Sequence, residues 1–288
     1  MLDGLLSPAL IVVVLSLASA AAWGASDFGG GLLGRRAPVI GVLVVTQGVG
    51  LLIALAIVVA RGEARLEGDD LLLSLAAGLG ASVGVGALYR GLAVGRMGVV
   101  APVAAVLTAL TPALAGVVLE SVPSPVVLGG MALAIVAVIV VSAAPGHDDG
   151  RPSGLPLAVL AGLTLGATSI LISRIGDQYL LAPLATIRAV QVGVFAIVIL
   201  AGRQPWRLPR ATWPLAFAVG AVDLIGNVAF LTAVRQSLAT ASVLSSLYPV
   251  ITVLLAATIL RERMTRSHAA GVVLAGIAIA MIAGGATT

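Results

Sequence analysis

Apolar residues run along this chain in ten stretches separated by short polar breaks. Each stretch is close to the ~20 residues that a helix needs to cross a hydrocarbon core ~30 Å thick. The pattern predicts membrane-spanning helices over 8–30, 38–60, 71–93, 98–119, 124–143, 154–175, 182–201, 212–234, 238–260 and 266–285. The breaks leave little chain over, so no soluble domain is expected between the helices. The longest break, APGHDDGRPSG from Ala144 to Gly154, carries Pro, Gly and charged residues together and reads as a linker.

The two sides of that linker are copies of one another. At an offset of 142 positions Gly24 falls on Gly166, Ala25 on Ala167, Gly34 on Gly176, Gly78 on Gly220, Gly84 on Gly226, Ala87 on Ala229, Glu120 on Glu262 and Gly129 on Gly271. Five spans per copy is an odd number, so the second copy has to enter the membrane from the opposite side. The expected fold is therefore an all-α integral membrane protein of ten transmembrane helices, built as two inverted five-helix repeats around a central cavity. The repeats are residues 1–144 and 154–288, joined by the linker 145–153. That architecture suits alternating access about a site near the midplane.

Composition narrows the function classes. Hydrophobic residues make up 60% of the chain and charged residues 10%, more apolar surface than a soluble fold of this size can bury. Cysteine is absent, which removes disulfide and thiol chemistry. His147 in the linker and His268 near the last helix have no metal-ligand company, so neither a metal nor another cofactor is expected. There is no Walker A pattern to bind a nucleotide, and transport would draw on an ion or substrate gradient. No nucleophile with its base and no paired acid motif falls inside the spans, which argues against an enzyme. The segment Ala18-Ser19-Ala20 looks like a signal-peptide cleavage site. Its first helix lacks a positive leader and has a counterpart after the linker, so it is retained as a span.

All 16 basic residues are arginines. They show no aromatic-studded basic face, so nucleic acid is not a partner. In the loops, Arg61, Arg65, Arg174 and Arg235 fall at the end that holds the termini. Arg35, Arg36, Arg96, Arg151, Arg203, Arg207, Arg210, Arg261, Arg263 and Arg266 fall at the other, and this bias would put the termini outside the cytoplasm.

Ionisable residues inside the spans carry the functional signal, because a charge at the centre of a membrane helix costs ~2.5–3.5 kcal/mol on insertion scales. Arg188 in the seventh helix stands three residues before Gln191, so the two share a face. A guanidinium there can grip a substrate carboxylate, or it can serve as a packing ion pair. Asp223 and Asn227 lie four apart in the eighth helix, with Gly220 and Gly226 leaving room for close approach. Asp223 can bind an ammonium group, carry a coupling proton, or lock helices together through Arg188. Asp27 follows Trp23 by four residues, and Gly29-Gly30-Gly31 after it suggests a broken helix at a binding site. Trp23, Tyr89 and Tyr248 fall where they can line the cavity or pack. Glu120 and Glu262 end their helices and read as loop-fixing residues, and Gly30/Gly34, Gly80/Gly84, Gly91/Gly95 and Gly162/Gly166 read as packing pairs.

The stretch Leu231 to Gly284 resembles the second repeat of the ten-helix, EamA-type drug/metabolite transporters. The marks are Pro249 in the ninth helix, Glu262 thirteen residues later and Gly271 in the tenth, with Trp23-Gly24 and Glu120 as looser matches in the first repeat. The resemblance implies a multi-pass carrier of the bacterial inner membrane that exports amino acids, other small metabolites or drugs. It also implies cytoplasmic termini, against the arginine bias. The family often carries an arginine in both helix 2 and helix 7, whereas here Thr46 stands at the position equivalent to Arg188. Pro112 lies five positions past the equivalent of Pro249.

The leading expectation is a secondary transporter exporting small amphipathic metabolites such as amino acids. Arg188 would take the carboxylate, and Asp27 or Asp223 the amine or a proton. The alternatives are an exporter of cationic drug-like compounds, in which the acids matter and Arg188 does not, and a passive channel or uniporter. Partners are a small-molecule substrate, the lipid bilayer and protons. Helices 5 and 10 are nearly free of polar residues and belong at the periphery, against lipid or a second copy, in a monomer or homodimer.

Overall fold

The computed structural model describes residues 8–119, 124–143, 152–176, 178–234, 241, 244–245, 247–261 and 265–285. These form ten α-helices: α1 (Pro8–Gly34), α2 (Val39–Arg61), α3 (Gly68–Val94), α4 (Met97–Leu119), α5 (Pro125–Ala143), α6 (Leu155–Ile172), α7 (Ala182–Gly202), α8 (Trp213–Val234), α9 (Tyr248–Ile259) and α10 (Arg266–Gly285). A 3-10 turn, Arg210–Thr212, leads into α8. There is no strand among the described residues.

Local chemistry sets the boundaries. Gly62 takes the left-handed conformation (φ 61°) that ends α2, and its N–H returns to the carbonyls of Val58 and Val59. Pro156 and Pro183 stand in the first turns of α6 and α7, where no N–H partner is needed. Inside the helices, hydroxyls donate to the carbonyl four residues back, as Ser16 does to Val12, Ser82 to Gly78, Thr111 to Leu107 and Thr168 to Thr164. Polar side chains are thereby satisfied without water.

Six helices, α1, α2, α3, α6, α7 and α8, are long and apolar enough to cross a membrane, and α4, α5, α9 and α10 contribute shorter apolar stretches. Leucines, valines and isoleucines stand exposed along these helices, among them Leu52, Val59, Leu72, Leu200, Ile225 and Val273. Such a surface belongs in lipid, and the chain is an integral membrane protein.

Packing between the halves is reciprocal. Helix α1 lies along α8 and α3 along α6, pairs that the repeat offset exchanges. The correspondence reaches single residues. A Cβ on Gly84 would sit 2.6 Å from Leu165 Cγ, and one on Gly226, its counterpart, 2.8 Å from Cδ1 of Trp23, the counterpart of Leu165. Helices α2 and α7, also counterparts, run antiparallel: Glu63, after the end of α2, contacts the start of α7, and Gly41, near the start of α2, meets the Trp206 carbonyl beyond the end of α7.

The glycine tract Gly29-Gly30-Gly31 does not break its helix, contrary to the sequence expectation. Helix α1 continues through it to Gly34. The three glycines instead admit three neighbours, Val219, Tyr89 and Met97, against the α1 backbone. Helices α5 and α10 pack chiefly on each other and on α4, away from the charged residues of α7 and α8. Glu120, Glu262, His147, Arg235, Arg263 and most of the 145–153 linker lie outside the described residues.

Candidate functional site

Three charged residues of the spans, Arg188, Asp223 and Asp27, converge on one place. Arg188 projects from the buried face of α7, the face that also holds Ala185, Gln191 and Phe195, and is only 3% exposed. One guanidinium nitrogen, Nη1, donates to Gln47 Oε1 on α2 at 2.7 Å. The other, Nη2, forms an ion pair with Asp223 Oδ2 on α8. Gly50, one turn beyond Gln47, leaves room for the guanidinium against α2, since a Cβ there would lie 2.8 Å from Arg188 Cζ. Arg188 Nε is buried and has no hydrogen-bond partner among the described residues.

Asp223 is held from three sides. Asn227 Nδ2 donates to its backbone carbonyl at 2.8 Å and reaches Oδ2 at 3.4 Å, so the shared face read from the four-residue spacing is present. Ser26 Oγ on α1 approaches Oδ1 at 3.5 Å. The Asp223 side chain keeps 24% of its exposure while its partner Arg188 keeps almost none. The accessible side of the pair is therefore the carboxylate side.

Asp27 is partly exposed on α1, one residue along from Ser26, and is an electrostatic neighbour of Asp223, Tyr89 and Tyr248. It has no cationic partner among the described residues. With both carboxylates ionised, the Asp27, Asp223 and Arg188 cluster carries one uncompensated negative charge.

Aromatic side chains border the cluster. Tyr89 is buried with its ring over Gly30. Trp23 contacts Tyr248 edge to face, with ring centroids 6.1 Å apart, and Phe230 at 5.2 Å. Thr252 ties α9 to α1 by donating to the Gly24 carbonyl at 3.1 Å.

Every predicted site residue except Gln191 joins this constellation. Gln191 is buried one turn along α7 from Arg188, on the same face, with no hydrogen bond to the cluster among the described residues. Gln47, Gly50 and Ser26 were not expected. Gln47 had a visible signal, being with Thr46 the only polar residue in the otherwise apolar α2 before Arg61.

Against known proteins, residues 152–284 match the EamA-like transporter family. Fifteen chains of solved structures match this chain. One, a crystal structure of a protein 16% identical in sequence, superposes with a TM-score of 0.63 over 93% of this chain and 96% of that chain, and so shares its fold. No curated protein matches.

Proposed function

Since residues 152–284 form an EamA-like transporter domain, we propose that the chain is a secondary active transporter that exports small amphipathic compounds by alternating access, its site being the cluster of Asp27, Asp223 and Arg188. The observation that carries the reading is the charge balance of that cluster. Arg188 is already neutralised by Asp223 and buried behind Gln47, whereas Asp27 is partly exposed and has no counter-ion among the described residues. A carboxylate without a counter-ion within a membrane span is costly, and a cation or a proton relieves it.

A substrate bearing one positive charge makes the cluster neutral, and so does one proton. The two therefore compete, which couples export of the cation to proton entry. Trp23, Tyr89 and Tyr248 supply aromatic faces that suit an organic ammonium. The antiparallel course of α2 and α7 and the reciprocal packing of the halves support inverted repeats, the arrangement that gives a carrier two related conformations.

A second reading, export of an amino acid, is favoured by the partial exposure of Asp223. A zwitterion can enter the Arg188–Asp223 pair, its carboxylate replacing that of Asp223 and its amine meeting the released acid and Asp27. Counterflow in proteoliposomes separates the two, using labelled benzyltrimethylammonium and labelled phenylalanine. Saturable counterflow of the ammonium, lost in Asp27→Asn and driven by an inward proton gradient, is the expected result. Counterflow of phenylalanine alone, lost in Arg188→Ala, moves the assignment to amino acids. Linear, unsaturable flux of either compound makes the protein a channel and overturns the carrier reading.

A further inference from the structure

One cluster of contacts joins the two halves outside the charged site. Gly62 ends α2 and turns the chain so that Glu63 reaches the start of α7. Glu63 Oε2 there accepts hydrogen bonds from three successive backbone N–H groups, those of Leu180 (3.2 Å), Leu181 (2.9 Å) and Ala182 (3.0 Å). A side chain from the first half thus satisfies the orphan amides of a helix in the second. Arg61 Nε, 3.5 Å from Oε1, accompanies the carboxylate, which is only 9% exposed. Asp70 adds two contacts to the same loop, accepting from Gly176 N–H at 2.9 Å and Gln178 Nε2 at 3.2 Å. Tyr179 Oη donates to the Arg65 carbonyl at 3.4 Å.

The repeat offset places Pro205 opposite Glu63 and Thr212 opposite Asp70. Proline offers no side-chain acceptor, and Thr212 Oγ1 donates to Pro209 within its own loop. The start of α2, counterpart of the capped start of α7, has Pro38 at its N-cap and no side-chain cap. At that end the halves meet through the Trp206 carbonyl over Gly41, a contact of backbone shape without a carboxylate. Among the described residues, the carboxylate clasp therefore exists at one end of the α2–α7 pair and not at the other.

Two identical inverted repeats would give two conformations of equal energy, so an interaction present at one end alone must make them unequal. We propose that Glu63, assisted by Asp70, is a one-sided latch that keeps the halves together at the end where α2 finishes and α7 begins, and biases the carrier toward the state closed there. This rests on the carrier reading above. Glu63 is a positioning residue, acting on the site through α7, which carries Arg188 six residues beyond the capped Ala182.

Spin-label distances test the latch directly, because the chain has no cysteine of its own. Labels at Glu67→Cys and Ser173→Cys, both exposed, report the latched end, and labels at Arg36→Cys and Gln204→Cys report the opposite end. In Glu63→Ala the population with the latched end apart is expected to rise about tenfold, the equivalent of losing one hydrogen bond to a charged group, with a closer population appearing at the other end. Glu63→Gln keeps an oxygen acceptor, loses the charge and should give an intermediate shift, which serves if the alanine variant fails to fold. Unchanged distances at both ends in folded Glu63→Ala overturn the latch. Counterflow measured on the same samples separates the two ideas: distances that shift in a protein without counterflow leave the latch standing and remove the carrier, while counterflow with unmoved distances does the reverse.

Discussion

Arg188 owes its position to residues on other helices more than to its own. Gln47 accepts one of its nitrogens, Asp223 another, and Gly50 vacates the volume that its guanidinium fills. Gly50→Ala is expected to push the guanidinium off α2 and loosen its grip on Asp223, so the variant should fold and its counterflow of either compound should match that of Arg188→Ala. Gln47→Leu leaves Nη1 buried and unpaired at a cost of about 1–3 kcal/mol, and should lower the thermal unfolding midpoint in detergent while Gln47→Glu restores it. Equal midpoints for the leucine variant and the parent would mean that Gln47 holds nothing. The sequence made half of this site legible. Asp223 with Asn227, and Arg188 with Gln191, follow from helical spacing, because residues three and four apart share a face. The bond from Arg188 to Gln47 spans 141 residues, and no local pattern encodes a partner that distant.

Several helix boundaries were legible to within a residue or two, because in a membrane chain the solvent changes abruptly at each boundary and the polar breaks mark the change. Those of the ninth helix were not, being expected over 238–260 where α9 runs Tyr248–Ile259 behind a turn at Leu247. Helix α2 was expected over 38–60 and runs Val39–Arg61, and α7 was expected over 182–201 and runs Ala182–Gly202. What composition could not convey is how glycines are used. The tract in α1 reads as a break by sequence, yet with every backbone group bonded within the helix, it serves as a surface on which three side chains rest. Glycines on α8 act likewise. A Cβ on Gly220 would lie 2.5 Å from the Thr46 carbonyl oxygen, a backbone atom that cannot swing away, whereas one on Gly193 meets nothing within 4 Å. Gly220→Ala should therefore destabilise the protein by ~1–3 kcal/mol through overpacking, and Gly193→Ala should leave it unchanged or slightly stabilised. Thermal unfolding of the two variants side by side checks the contrast, and equal midpoints would mean that α8 and α2 do not meet closely at Gly220.

Across the whole molecule, the number of crossings decides whether the halves are inverted. Helices α2 and α7 are counterparts and lie antiparallel, which follows when each half crosses five times. Five crossings per half place both ends of the chain on one side of the membrane and the 145–153 linker on the other. Reporters of compartment fused at Met1, at Thr288 and within the linker at Gly150 are expected to read alike at the ends and opposite in the linker. Ends on different sides would give an odd total and remove inversion, and with it the physical basis for two conformations of one site. The same fusions decide the orientation. Arginine is concentrated at the linker end, with Arg35, Arg36, Arg96, Arg203, Arg207 and Arg210 there against Arg61, Arg65 and Arg174 at the other. If charge alone governs insertion, the linker is cytoplasmic and the latched end of the α2–α7 pair faces outward. The latch would then hold the exit closed at rest, leaving the site to fill from the cytoplasm before protons outside release it, which is the order an exporter requires.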